Sequence, residues 1–152
     1  MNSDFKDLLK ALLENKARFM VIGGYAVIRY TEPRYTKDLD ILIDPTPDNA
    51  AKVYNALKIF GAPLATLKES DLTVDGNFFQ IGVPPNRVDI IVKVPGIEFA
   101  EAFLRCEFIT IGSLPIPVIS RDDLIQAKLA SGRPQDLVDA SALTKSKVKA
   151  KK

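Results

Sequence analysis

The chain contains no histidine and only one cysteine, Cys106. The first absence removes Ser-His and Cys-His nucleophile pairs, histidine general bases and histidine-ligated zinc together. A lone cysteine forms no internal disulfide, which fits a reducing cytoplasm. No apolar run approaches the roughly 20 residues that span a bilayer, and the N-terminus, MNSDFKDLLK, is acidic and amphipathic rather than signal-like. An excess of either charge is also lacking: the formal net charge of +2 is too small to argue for a nucleic-acid partner by itself. Catalysis, if any, must rest on Asp, Glu, Lys, Arg, Tyr or a bound metal.

What is present is ordinary for a globular protein, with 47% apolar and 26% charged residues. At 152 residues the chain reads as one domain with a proper core. Phe5, Leu8, Leu9, Leu12 and Leu13 share one face of an N-terminal helix. Arg18 to Ile22 reads as a buried strand, Gly24 to Tyr30 as a short helix, Thr31 to Lys37 as a polar loop, and Leu39 to Ile43 as a second strand. Asp48 or Thr46 caps a helix running to about Phe60 and stopped by Gly61. Leu64 to Asp75 suggests a short helix and a turn. Asn77 to Val83 and Arg87 to Val94 form a hairpin across Pro84-Pro85-Asn86, and Glu98 to Cys106 is a short helix. Two more strands, Phe108 to Ile111 and Ile116 to Ile119, precede a Ser120-capped helix through Ala130 and a last helix to about Leu143. The expected organisation is a domain over 1–144 and a disordered lysine-rich tail over 145–152.

The chemistry concentrates between Phe19 and Ile43. Gly23-Gly24, between a strand and a helix, can bring backbone N–H groups against a phosphate, although a tight strand-to-helix turn also explains the pair. Asp38 and Asp40, two residues apart, fall on one face of a strand while Leu39, Ile41 and Ile43 face the other way. Carboxylates side by side repel unless cation-bound or solvated, so the pair fits either divalent metal or a solvated strand end beside Lys37. Asp89 stands in the otherwise apolar run Val88 to Val92, where a carboxylate is rare unless paired or metal-bound. Its alternative is an ion pair with Arg87 or Lys93. Were the two strands neighbours, three carboxylates would converge as ligands for a two-metal centre.

Gly23-Gly24, thirteen residues, then Asp38-Leu39-Asp40-Ile41, with Val88-Asp89-Ile90 downstream, resembles the signature of the DNA polymerase β-like nucleotidyltransferase superfamily. The stretch Ile119 to Asp139, with Lys128, Gly132-Arg133 and Asp136-Leu137-Val138-Asp139, resembles small nucleotidyltransferase-like proteins related to AbiE-type toxins. The resemblance reaches from about residue 19 to residue 140 and implies an α+β (α/β) nucleotidyltransferase fold, a mixed sheet flanked by helices with further helices at the C-terminus. It implies that Gly23 and Gly24 contact a triphosphate, that Asp38, Asp40 and Asp89 bind Mg²⁺ (or Mn²⁺) and carry catalysis, and that Lys128 points at the triphosphate. Arg34, Thr36 and Lys37 would bind phosphate or screen the carboxylates, while Asp136 and Asp139 would pair with Arg133 or Lys128.

Two departures accompany it: Tyr25 follows the glycines where many members carry small residues, and no acceptor-holding second domain is recognisable. The implied activity is transfer of a nucleoside monophosphate from an NTP to an RNA 3′ end, a protein hydroxyl or a small molecule, with pyrophosphate released. The competing expectation is a non-catalytic nucleotide-binding or antitoxin-type module. Either would work as a homodimer or with a protein partner, away from membranes, in the cytoplasm.

Overall fold

Four consecutive apolar residues, Phe19–Ile22, form β1, and all four are buried, as a central strand covered on both faces requires. The computed structural model describes residues 3–32, 38–83 and 86–150, with the side chains of 147–150 left aside. Around β1 lie β2 (Leu39–Ile43), β3 (Phe78–Ile81), β4 (Val88–Ile91), β5 (Glu107–Ile111) and β6 (Leu114–Val118). The sheet runs in the order β3-β4-β2-β1-β6-β5. It is mixed: β1 is antiparallel to β2 and parallel to β6, β2 is parallel to β4, and antiparallel hairpins β3/β4 and β5/β6 close the two edges.

The helices are α1 (Ser3–Glu14), α2 (Gly23–Tyr30), α3 (Pro47–Phe60), α4 (Phe99–Leu104), α5 (Arg121–Ser131) and α6 (Pro134–Ala150). Helix α1 buries the predicted Phe5, Leu8, Leu9 and Leu12 and packs on α3. Thr46 is the N-cap of α3, and Gly61, at φ 94°, ends it in the left-handed conformation. Asp48 lies inside the helix, so Thr46 is the capping residue. Residues Glu69–Thr73 form a 3-10 turn within the region expected to hold a short helix.

Asn49, fully buried in the first turn of α3, ties three segments together. Its Oδ1 accepts from the Arg18 backbone N–H at 2.7 Å, and its Nδ2 donates to the carbonyls of Arg18 and Asp44, both at 2.9 Å. One side chain thus fixes the approach to β1 against the exit of β2, which sets the register between them. In that register Ile22 pairs with Asp40.

Helix α5 starts where Ser120 Oγ accepts from the Asp123 backbone N–H, and Gly132 (φ 68°) turns the chain into α6. Helix α6 continues through Ala150, past the end expected near Leu143. Lysine and alanine are good helix formers, and no proline or glycine interrupts the sequence after Pro134. The Ser146 hydroxyl also donates to the Tyr30 carbonyl, fastening this part of the helix to the end of α2. Arg34, Thr36 and Lys37, expected to bind phosphate, lie outside the described residues, as does the Pro84-Pro85 turn.

Candidate active site

The strand-to-helix junction at Gly23 is the tightest point of the site. Gly23 has φ 70°, and a Cβ there would overlap the Asp40 carboxylate. Glycine is therefore required twice, by the left-handed backbone and by the close approach of β2. The N-terminal turn of α2, where Gly24 also sits, is thereby held against the carboxylate-bearing end of β2. Free N–H groups at a helix start favour an anion.

The three predicted carboxylates share this corner without being equivalent. In the parallel pairing of β2 with β4, Asp40 is the direct partner of Asp89. Asp38 immediately precedes β2, and its Oδ1 is buried with no hydrogen-bond partner among the described residues. Burial, and then the negative charges of Asp89 and Asp38, push the Asp40 carboxyl up to about 6, against the opposing influence of Lys128 and Arg87. Asp89 is gripped by Arg87, whose Nε and Nη2 each lie 3.0 Å from its two oxygens. The same-strand ion pair, read from sequence as the alternative to metal, is thus present. Arg87 is held in its charged form by that hydrogen-bonded carboxylate.

Opposite the carboxylates, a cleft of about 170 Å³ opens between the sheet and the α5–α6 hairpin. Gly23 and Asp40 stand at one side, Lys128, Arg133 and Asp136 at the other, and Ile22, Leu42, Ile91, Leu124 and Ala127 contribute apolar wall. Lys128, on α5, pairs with Asp136 at 3.4 Å and Asp139 at 3.1 Å. Burial would raise Asp136, but hydrogen bonds from Arg133 and the charge of Lys128 outweigh it and hold the carboxyl below its usual range. Arg133 Nε lies 2.7 Å from the same carboxylate. Sequence reading had placed Lys128 at the site and treated Arg133 only as a carboxylate's partner. Its place on the cleft wall follows from the Gly132 turn, which sets it between two packed helices.

A divalent cation suits part of this donor set. Asp38 offers a buried oxygen with no partner among the described residues, and Asp40 is a carboxylate whose charge is under-compensated, which is the electrostatic demand a hard cation satisfies. Among the described residues, however, no three or more ligating side chains are gathered as a ready metal site. The fit therefore rests on Asp38 and Asp40, with Asp89 alongside and held by Arg87.

A six-stranded mixed sheet flanked by helices, with a glycine turn against carboxylates on the adjoining strand, defines a nucleotidyltransferase fold. The chain belongs to the family described as nucleotidyltransferase of unknown function (DUF6036), whose pattern matches residues 3–148. A protein from Thermotoga maritima classed with the nucleotidyltransferases is similar at TM-score 0.63 and 15% identity, over 88% of this chain and 86% of that one. The lincosamide antibiotic adenylyltransferase LnuA, solved with lincomycin bound, is similar at TM-score 0.59 and 16% identity, over 95% and 96%. ANT(2″)-Ia, in complex with adenylyl-2″-tobramycin, is similar at TM-score 0.60 and 15% identity, over 93% and 86%. No curated protein matches the chain.

Proposed function

We propose that the protein is a Mg²⁺-dependent nucleotidyltransferase that moves a nucleoside monophosphate from an NTP to an acceptor hydroxyl. The observation that carries this reading is the Gly23–Asp40–Asp89 corner. A helix start that admits only glycine abuts one carboxylate, both line a cleft containing Lys128, and a second carboxylate, Asp89, is the direct strand partner of the first. Asp38 and Asp40 would hold the metal, with Asp89 completing the set once Arg87 lets go; Mn²⁺ would serve in its place. A bound divalent cation supplies charge neutralisation for the triphosphate and the departing pyrophosphate. The N-terminal turn of α2, through Gly23 and Gly24, binds phosphate oxygens, and Lys128 faces them from α5. The acceptor oxygen attacks the α-phosphorus, the bond to the bridging oxygen breaks, and pyrophosphate leaves. Asp89 receives the hydroxyl proton.

Two similar solved structures are antibiotic adenylyltransferases, which supports adenylyl transfer to a small hydroxylated molecule ahead of an RNA 3′ end or a protein hydroxyl. The pattern of α5 and α6 that resembles AbiE-type proteins supports a protein partner or second copy as the source of the acceptor-binding surface. Among the described residues no helix is long and apolar enough to cross a membrane, and the half-buried free thiol of Cys106 supports a reducing cytoplasm. The test is transfer of label from NTPs radiolabelled at the α-phosphate in the presence of Mg²⁺. Loss of transfer in Asp40→Asn is expected, and unimpaired transfer by that variant would overturn the assignment.

One observation favours a second reading, a nucleotide-binding module without turnover. The Arg87 fork on Asp89 occupies the carboxylate that the reaction needs. Nucleotide binding by calorimetry, no label transfer, and a stable protein partner recovered from the native host would together establish it, with a toxin–antitoxin pair as its expected setting.

A further inference from the structure

Lys128 is a lysine with little freedom. Its side chain is 14% exposed, and its ammonium lies between two carboxylates on α6 that are each only 3% exposed. Buried carboxylates are rare and unfavourable unless they are paired, and a pure stability role is met as well by apolar packing. The arrangement is also more specific than neutralisation demands. Asp139 accepts from Gln135 Nε2 through Oδ1 at 2.9 Å and turns Oδ2 to Lys128. Asp136 faces Lys128 with Oδ1 and takes the Arg133 backbone N–H and Nε on Oδ2 at 3.3 and 2.7 Å. Two cations and two carboxylates balance, and both cations, with Asp136 beside them, reach the cleft wall. Lys128 and Arg133 both line the cleft that holds Asp40, and each interacts electrostatically with Asp40. Arg133 is 77% exposed apart from its fork on Asp136, so it remains open to a ligand.

We propose that Asp136 and Asp139 are positioning residues that hold Lys128 and Arg133 as a preset pair of cations for the phosphates of the nucleotide. The inference rests on the nucleotidyltransferase reading and adds to it what makes Lys128 effective. A lysine is a point charge on a flexible four-carbon stem, whereas a guanidinium presents a rigid fork. Fixing both before the ligand arrives removes their ordering from the binding step. The division of labour follows from the contacts: Asp139 pairs with Lys128, and Asp136 pairs with both cations. The close packing of Gly96 against Ala130 and Gln126 keeps α5 against the sheet side, so the cations are presented at a set depth.

The experiment measures the affinity of Mg²⁺ with a non-hydrolysable ATP analogue by calorimetry. It compares the intact protein with Asp139→Asn, Lys128→Gln and the double variant. Asp139→Asn is expected to weaken binding ~10-fold, and to add almost nothing in the Lys128→Gln background, because both changes remove one coupled unit. Independent, additive losses, or unchanged affinity in Asp139→Asn, overturn the proposal while leaving the functional reading in place. Absence of analogue binding by the unmutated protein overturns the functional reading, and the phosphate-binding role with it. A second measurement covers the case in which Asp139→Asn fails to fold. Acylation of lysines in the unmutated protein, followed by mass spectrometry, is expected to label Lys128 far more slowly than Lys10, whose side chain is 61% exposed. Equal labelling rates show a mobile Lys128 and overturn the proposal.

Discussion

At the residue scale, Gly23 and Asp40 are a coupled pair, and each constrains the other. Alanine at 23 would have to adopt a left-handed backbone, which costs about 1–2 kcal/mol, and its Cβ would also displace the Asp40 carboxylate. Gly23→Ala is therefore expected to lower the melting temperature and to abolish label transfer, even when the residual fold is intact by circular dichroism. A variant that keeps full transfer would remove Gly23 from the site. Asp40 gives a pH signature of its own. Its carboxyl is raised from 3.8 to about 6 by burial and by its acidic neighbours, so the folded state holds the proton more tightly than the unfolded chain does. The linkage is thus destabilising as pH rises: between about 4 and 6 the unfolded chain releases the proton first, and stability falls. Above both values the penalty is on the order of 1–3 kcal/mol in metal-free protein. Melting curves in chelator from pH 4.5 to 8 should show this decline, and Asp40→Asn should flatten it and be the more stable protein at pH 7.5. Adding Mg²⁺ at that pH should raise the melting temperature of the unmutated protein and leave Asp40→Asn unmoved. An equal response in both would take the metal away from Asp40.

At the element scale, the fold depends on how the first two strands are held in register. The hydrogen bonds from Asn49 to Arg18 and Asp44 join α3 to both strands in a fully buried setting. Asn49→Ala removes three hydrogen bonds to backbone groups, of which the Arg18 carbonyl alone keeps a second partner, the Asp44 N–H at 3.2 Å, and is expected to cost about 2–4 kcal/mol in denaturant unfolding. A loss under about 0.5 kcal/mol, typical of surface substitutions, would show that the register is fixed elsewhere. Asn49 drew no notice in the sequence, because its partners are backbone groups 31 and 5 positions away. By contrast, the periodic face of α1, the Thr46 and Ser120 caps and the Gly61 and Gly132 stops were legible, since each depends on residues within a turn or two. The end of α6 was not. A lysine-rich composition reads as a solvated tail, whereas the Ser146 contact to Tyr30 that holds the helix spans 116 positions. Of the site, the glycine pair, the carboxylates and Lys128 were visible as residue types at suggestive spacings. The pairing of Asp40 with Asp89 and the Arg87 fork needed the strand order, which no local pattern encodes.

At the scale of the whole molecule, the site is assembled from the two ends of the sequence. The carboxylates and the helix start come from residues before 90, on the central strands. The cations come from the α5–α6 hairpin, beyond residue 120, which reaches the sheet through β6 beside β1. The cleft is the seam between these parts, so its occupant touches both and should bind them together. A nucleotide that binds only the folded protein raises its stability by about 2.7 kcal/mol at one hundred times its dissociation constant. The same ligand should act locally, because it would bridge the hairpin and the sheet across the seam and oppose their local separation. With Mg²⁺ and a non-hydrolysable ATP analogue, amide hydrogen exchange is expected to slow most in α5, in the first turn of α2 and around Asp40 and Asp89. The β5 edge and the α1–α3 pair should change little. Protection spread evenly over the chain would mean only global stabilisation, and protection confined to the β3 or β5 edge would place the ligand outside the seam. Either pattern would count against a site built from both halves, whatever the acceptor proves to be.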